Sequence, residues 1–183
     1  MRAAPTKPVD AAVLEDGEQK VTYADGTVYE GEWRDGGPIH RGASRRGVPE
    51  GHGKLTFPNG DVYKGEFKAG KREGRGKLSD ANHDEYEGEF KTDMKEGRGS
   101  LSYANGDVYD GEFRADKKEG RGKMSYTNND VYDGEFKADK KEGRGTYTSA
   151  DGEVYEGHFK ADMKDGRGNY TTPDGDAYVG EFK

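Results

Sequence analysis

The chain has no cysteine, one tryptophan and only six prolines, and just 29% of its 183 residues are hydrophobic. The missing cysteines exclude disulfides and thiolate metal sites. No apolar run is long enough to span a bilayer as a helix, and none resembles a signal-peptide core. The phosphate-cradling Gly-x-x-x-x-Gly-Lys-Ser/Thr loop is absent, as are His-Glu-x-x-His and the Gly-x-Ser-x-Gly elbow. The four histidines, His40, His52, His83 and His158, do not cluster. His83 stands in place of a turn glycine and His158 in place of a glutamate within a recurring pattern. The Asp-rich stretches lack the spacing and closing glutamate of a calcium loop. No catalytic residue, no metal and no cofactor is therefore expected. A net charge of −7 argues against binding to nucleic acid. With neither disulfides nor a leader expected, the chain reads as cytoplasmic.

What remains is charge, glycine and aromatics. Charged residues make up 37% of the chain, a composition that alone would suggest disorder. The twelve tyrosines, seven phenylalanines and 30 glycines oppose that, because they recur in strict order. "NGDVYDGEF" at Asn105–Phe113 returns as "NNDVYDGEF" at Asn128–Phe136. The phrase Tyr-x-Gly-x-Phe/Trp begins at Tyr29, Tyr63, Tyr86, Tyr109, Tyr132, Tyr155 and Tyr178, and from Tyr63 onward the interval is always 23 residues. The first interval is 34, longer by an 11-residue insertion. A Gly-x-Gly pair keeps step, from Gly51/Gly53 to Gly166/Gly168. A fixed period of this length marks a repeat array.

Alternation at period two identifies strands. Each unit reads as a hairpin: "GHGKLTF" (Gly51–Phe57), the turn "PNG" (Pro58–Gly60), then "DVYKGEF" (Asp61–Phe67). Proline suits the first turn position, Asn the second and Gly the left-handed residue that closes it, which predicts a three-residue loop with a bulge. That loop sets Leu55 opposite Tyr63 and Gly53 opposite Gly65; a loop one residue shorter would send them to opposite faces. Tyr63, Gly65, Phe67, Gly53, Leu55 and Phe57 then share one face, and Val62, Lys64, Glu66, Lys54 and Thr56 the other. Gly65, Gly88, Gly111, Gly134 and Gly157 are expected to be sockets over which neighbouring rings lie flat.

The stretch "YEGEFKTDMKEGRGSLSYANGD", Tyr86–Asp107, resembles the MORN (membrane occupation and recognition nexus) repeat. The likeness runs from near Gly17 to Lys183. It implies an all-β fold: an elongated single-layer antiparallel sheet of consecutive hairpins, curled so that the aromatic face lines a groove. Residues 1–16 are expected to be a flexible N-terminal tail or short docking arm, and 17–183 the array, with a long insertion loop at 34–50. The array is expected to end on half a repeat, 178–183.

The resemblance does not by itself imply an enzyme. It implies a non-catalytic scaffold or adaptor in a cytoskeletal or ciliary assembly, such as the radial spokes of the axoneme. A one-faced sheet with nothing of its own to cover it would leave an aromatic trough for a peptide or amphipathic helix. The rings expected to line it are Tyr63, Phe67, Tyr86, Phe90, Tyr109, Phe113, Tyr132, Phe136, Tyr155 and Phe159. The open final strand, Tyr178–Lys183, is expected to be able to pair with a subunit or a second copy. Two alternatives stand beside this. Basic segments such as "KADKKEGRG" (Lys137–Gly145), with Arg41, Arg45 and Arg46, could tether the chain to membrane lipid of acidic charge. Every such segment also carries Asp or Glu, so solvated loops are the favoured reading. The array could also serve as an accessory subunit of an enzyme. Arg75, Arg98, Arg121, Arg144 and Arg167 form a further column, read either as a basic stripe for acidic partners or, preferably, as partners of neighbouring glutamates.

Overall fold

The computed structural model describes residues 8–13, 19–34 and 47–183. Among them there is no helix; the chain is a succession of antiparallel hairpins in two compact units, residues 1–95 and 96–183. In the first unit the strands are β1 (Pro8–Val13), β2 (Gln19–Tyr23), β3 (Val28–Arg34), β4 (Val48–Thr56), β5 (Val62–Lys68), β6 (Lys71–Ser79) and β7 (Glu85–Lys91). β8 (Met94–Ser102) spans the boundary. The second unit continues with β9 (Val108–Arg114), β10 (Lys117–Ser125), β11 (Val131–Lys137), β12 (Lys140–Thr148), β13 (Val154–Lys160), β14 (Met163–Thr171) and β15 (Ala177–Phe182). Within each unit strand order equals chain order. β1 falls in the segment expected to be a flexible tail: it pairs with β2 from Pro8↔Tyr23 to Val13↔Gln19, using hydrogen-bonding groups that the edge of β2 would otherwise present to solvent. Most of the insertion loop lies outside the described residues, including His40, Arg41, Arg45 and Arg46.

Two kinds of turn alternate. The longer is the three-residue loop expected from Pro-Asn-Gly. Phe57 N–H donates to Asp61 O at 2.8 Å, and Gly60 N–H to Phe57 O at 3.0 Å. Gly60 sits at φ +96°, which only a residue without Cβ adopts freely. The resulting register is Leu55↔Tyr63 and Gly53↔Gly65. The shorter turn corrects a reading of the sequence. "KADKKEGRG" is not a basic loop: Lys137 ends β11, Ala138 and Asp139 alone make the turn, and Lys140 opens β12. Both turn residues have positive φ, 49° and 73°, the two-residue geometry that matches strand twist.

Non-glycine residues tolerate that backbone because the preceding repeat holds it from both sides. Ala138 N–H donates to Glu119 Oε2 at 3.0 Å, and Asp139 N–H to Lys118 O at 3.1 Å. Lys118 N–H donates back to Asp139 Oδ1 at 2.8 Å. The same Glu-to-turn stitch recurs from Glu50 to Ala69, Glu73 to Thr92, Glu96 to Ala115 and Glu142 to Ala161. Removing one, as in Glu119→Ala, is expected to cost about 1 kcal/mol in urea unfolding of the whole chain. A change indistinguishable from zero would show that the turn needs no stitch.

The core is one side chain thick. A repeat tyrosine lies over its own strand's glycine and that of the following strand, as Tyr63 shows: a Cβ on Gly65 would stand 2.6 Å from the Tyr63 hydroxyl, and one on Gly76 only 2.5 Å from the ring's Cζ. Gly111, Gly134 and Gly157 lie under Tyr109, Tyr132 and Tyr155 in the same way. Gly88 pairs with Gly76 in register. A bulge next to the glycine frees a carbonyl for the phenol, so Tyr63 Oη donates to Glu66 O at 2.9 Å and Tyr132 Oη to Glu135 O at 2.9 Å. Phenylalanine rings close the sides edge-on. Tyr132 meets Phe136 of its own strand at 5.2 Å and Phe159 of the next repeat at 4.8 Å, with interplanar angles of 86° and 79°. Such edge-to-face pairs add roughly 0.5–1.5 kcal/mol each beyond burial.

Candidate binding surfaces

The ten rings expected to form a partner groove are buried. Tyr63, Tyr109 and Tyr132 have no exposure, Tyr86 and Tyr155 have 1%, and none of Phe67, Phe90, Phe113, Phe136 and Phe159 exceeds 5%. This corrects the groove assignment. The glycine sockets let each ring lie against backbone, its phenylalanine neighbours flank it, and a cation covers it. In the first unit Arg72, itself 2% exposed, sets its guanidinium 5.6 Å from the Tyr63 centroid and 5.5 Å from that of Phe90, and donates to Asp93 O at 2.6 Å. In the second unit Lys141 Nζ lies 5.0–5.1 Å from the centroids of Tyr126, Tyr132 and Tyr147. Lys118 and Lys164 do the same over Tyr109 and Tyr155. Burial draws the Lys141 ammonium below its usual pKa. These lysines, part of the basic segments considered for lipid contact, turn inward onto the rings.

Four further tyrosines are half-buried, in two columns: Tyr103 and Tyr126 in step with Phe57, and Tyr147 and Tyr170 in step with Leu55. The Tyr147 phenol, pushed up to about 12 chiefly by burial and then by its hydrogen bond to Asp130, donates to that carboxylate. The same bond, with the Ala150 N–H, holds Asp130 below the usual carboxylate range. The largest exposed hydrophobic side chains among the described residues are Met94, Met163, Tyr178 and Val179; the last two lie on β15.

Accessible space lies on the polar face. In the second unit a cleft of about 830 Å³ is floored by Gly134, Gly145 and Gly157 and rimmed by Arg121, Asp133, Arg144, Glu156, His158 and Arg167. A smaller one of about 460 Å³ adjoins it, between Arg98, Asp110 and Lys123. Between the charged side chains of this face, the strands present only backbone at Gly134, Gly145 and Gly157. Register sets charges of alternating sign along one row: Arg121↔Glu135, Arg144↔His158, Arg167↔Glu181. Glutamates at this position also cap the bulge of the strand after them. Glu112 Oε1 accepts from Arg121 N–H at 3.4 Å, and Glu135 Oε1 from Arg144 N–H at 3.3 Å. His158 is the exception. The arginine column was legible in the sequence; that it borders the accessible cleft was not, because which face closes depends on ring packing. Among the described residues no group of His, Cys, Asp or Glu is placed to hold a metal ion. Nor is any helix among them long and apolar enough to cross a membrane.

Fold and surfaces together define an all-β hairpin-repeat protein with a sealed aromatic face and an indented, charged one. The MORN repeat model matches residues 29–36, 40–62, 63–85, 86–108, 109–131, 132–154 and 155–177, and the chain belongs to that family. No curated protein matches it in sequence. Among solved structures it is similar to the SAS-4 (dCPAP) TCP domain of Drosophila melanogaster, solved in complex with a proline-rich motif of Ana2 (dSTIL). That likeness has a TM-score of 0.56 and 15% identity, and covers 100% of this chain and 97% of that one. It is also similar to the TCP10c domain of Drosophila melanogaster Sas-4, with a TM-score of 0.51, 14% identity and 94% and 98% coverage. At such identity the likeness is one of fold.

Proposed function

We propose that the protein is a non-catalytic scaffold that binds protein partners in a cytoskeletal assembly, with the ciliary or flagellar axoneme as its site. The observation that carries this reading is the indented polar face of residues 98–167. Bare glycine backbone floors it and repeated charged columns rim it, a surface suited to seating an extended chain. Membership of the MORN family and the fold shared with a SAS-4 domain that holds a partner peptide support it. The family resemblance alone supports the axoneme. The partner surface is the polar face rather than the aromatic one. Full-length protein is expected to co-sediment with isolated axonemes and to cross-link there to discrete partners. Protein that stays in the supernatant and yields no cross-link would sink the reading.

A further inference from the structure

The cleft contains one place where the repeat breaks its own rule. At Gly120 and Gly143 an added Cβ would meet a glutamate carboxylate oxygen, of Glu112 at 2.6 Å and of Glu135 at 2.5 Å. At Gly166, the equivalent position in β14, it would meet nothing within 4 Å. The cause is His158: it stands opposite the β14 bulge where the other repeats bring a carboxylate, and it supplies none to Arg167 N–H. Along the row, Arg144, His158 and Arg167 therefore follow one another with no acid between them. Arg144 and Arg167 are exposed, and their Cα positions lie two strand spacings apart, about 9.6 Å, a gap two arginine side chains close from either side.

We propose that this gap is a carboxylate-binding site for a glutamate or aspartate of an extended acidic segment in a partner protein. The proposal rests on the protein-binding reading above and gives it a point of contact. The incoming carboxylate takes the place Glu135 occupies one repeat earlier, receiving Arg167 N–H and charge-assisted bonds from the flanking guanidiniums, which are stronger than neutral hydrogen bonds. Asp133 and Glu156 on the same cleft set the valence of the guest. They tolerate one carboxylate aimed at the arginines and repel a dense anionic sheet, so the site fits a protein side chain rather than a lipid surface.

The test uses the full chain and a fluorescein-labelled peptide of four Pro-Pro-Glu triplets, extended and without internal hydrogen bonds, beside its Pro-Pro-Gln counterpart. Fluorescence anisotropy is expected to show the Glu peptide binding about tenfold tighter. His158→Glu, which restores the residue type of Glu66, Glu89, Glu112 and Glu135, should abolish that preference without lowering the melting temperature. Arg144→Ala should weaken it, and Arg75→Ala in the first unit should not. Equal binding of the two peptides, or an unchanged preference in His158→Glu, overturns the site. Binding of wild type to phosphatidylserine vesicles at physiological salt, lost in His158→Glu, overturns the choice of a protein guest. If wild type fails to co-sediment with axonemes, the scaffold reading falls while the Glu-against-Gln comparison still decides the site. If His158→Glu co-sediments as wild type does, scaffolding stands and the carboxylate site is not its anchor.

Discussion

Gly111→Val is expected to destabilise the second unit by at least about 3 kcal/mol, a large part of a typical domain's stability. A Cβ at Gly111 would stand 2.6 Å from the Gly122 Cα and 2.6 Å from Cζ of the Tyr109 ring. Backbone cannot withdraw without breaking the β9–β10 ladder, and the ring cannot withdraw without losing its bond to Glu112 O and its edge contacts with Phe113 and Phe136. Overpacking of a tight site ordinarily costs about 1–3 kcal/mol, and here both neighbours are pinned. Lys137→Ala, at the exposed end of β11, is the comparison and should change stability by less than about 0.5 kcal/mol. Guanidinium denaturation of the two variants checks the order. If Lys137→Ala were the more damaging, the assignment of faces would be wrong.

The second large effect is alkaline unfolding. Burial, the leading cause for each, raises the phenols of Tyr63, Tyr109 and Tyr132 well above the ordinary value of 10.0. Tyr23 is pushed up to about 12 by burial and then by Asp25. A phenol whose folded pKa is raised holds its proton where the unfolded chain releases it. The stability it contributes is therefore intact below pH 10.0 and is lost as pH climbs through the folded value. For Tyr23 alone, 5% exposed, that loss amounts to on the order of 3 kcal/mol across the window. The sheet's circular-dichroism signal should therefore collapse above pH 10.0, with tyrosinate absorbance rising in the same cooperative step. Smooth ionisation centred at 10.0 with the sheet intact would contradict a core built on buried phenols.

Both results depend on a core that one chain builds from a single layer. Tyrosine, glycine and phenylalanine at alternate positions put ring and socket on the same side of a strand. The Gly-x-Gly partner on the next strand completes the seat, so a repeat can bury its ring with no helix or second sheet. Long-range order reduces to contacts between neighbours, the physics of repeat proteins. The stitches from Glu119 to Ala138 and from Asp139 to Lys118 serve the same end, joining one repeat to the next at the turn.

Strand identity, the three-residue turn at Pro58–Gly60 and the pairing of Leu55 with Tyr63 could all be read from spacing, because alternation and turn chemistry act over a few residues. The two-residue turn at Ala138–Asp139 could not. Its left-handed backbone is held by Glu119 and Lys118, which lie a full repeat away, so local propensity misreads it as part of a longer basic loop. The larger difference concerns the faces. Period-two patterning sorts Tyr109 and Phe113 from Asp110 and Glu112, but it carries no measure of how deeply a ring sinks. Bare glycine backbone, edge-on phenylalanines and the covering lysines together seal the aromatic side. Accessible surface is left beside Arg144, His158 and Arg167. Sealing is a property of several strands at once: it needs Tyr132 from β11, the glycine of β12, Phe159 from β13 and Lys141 in the same few ångströms, and only packing brings them there.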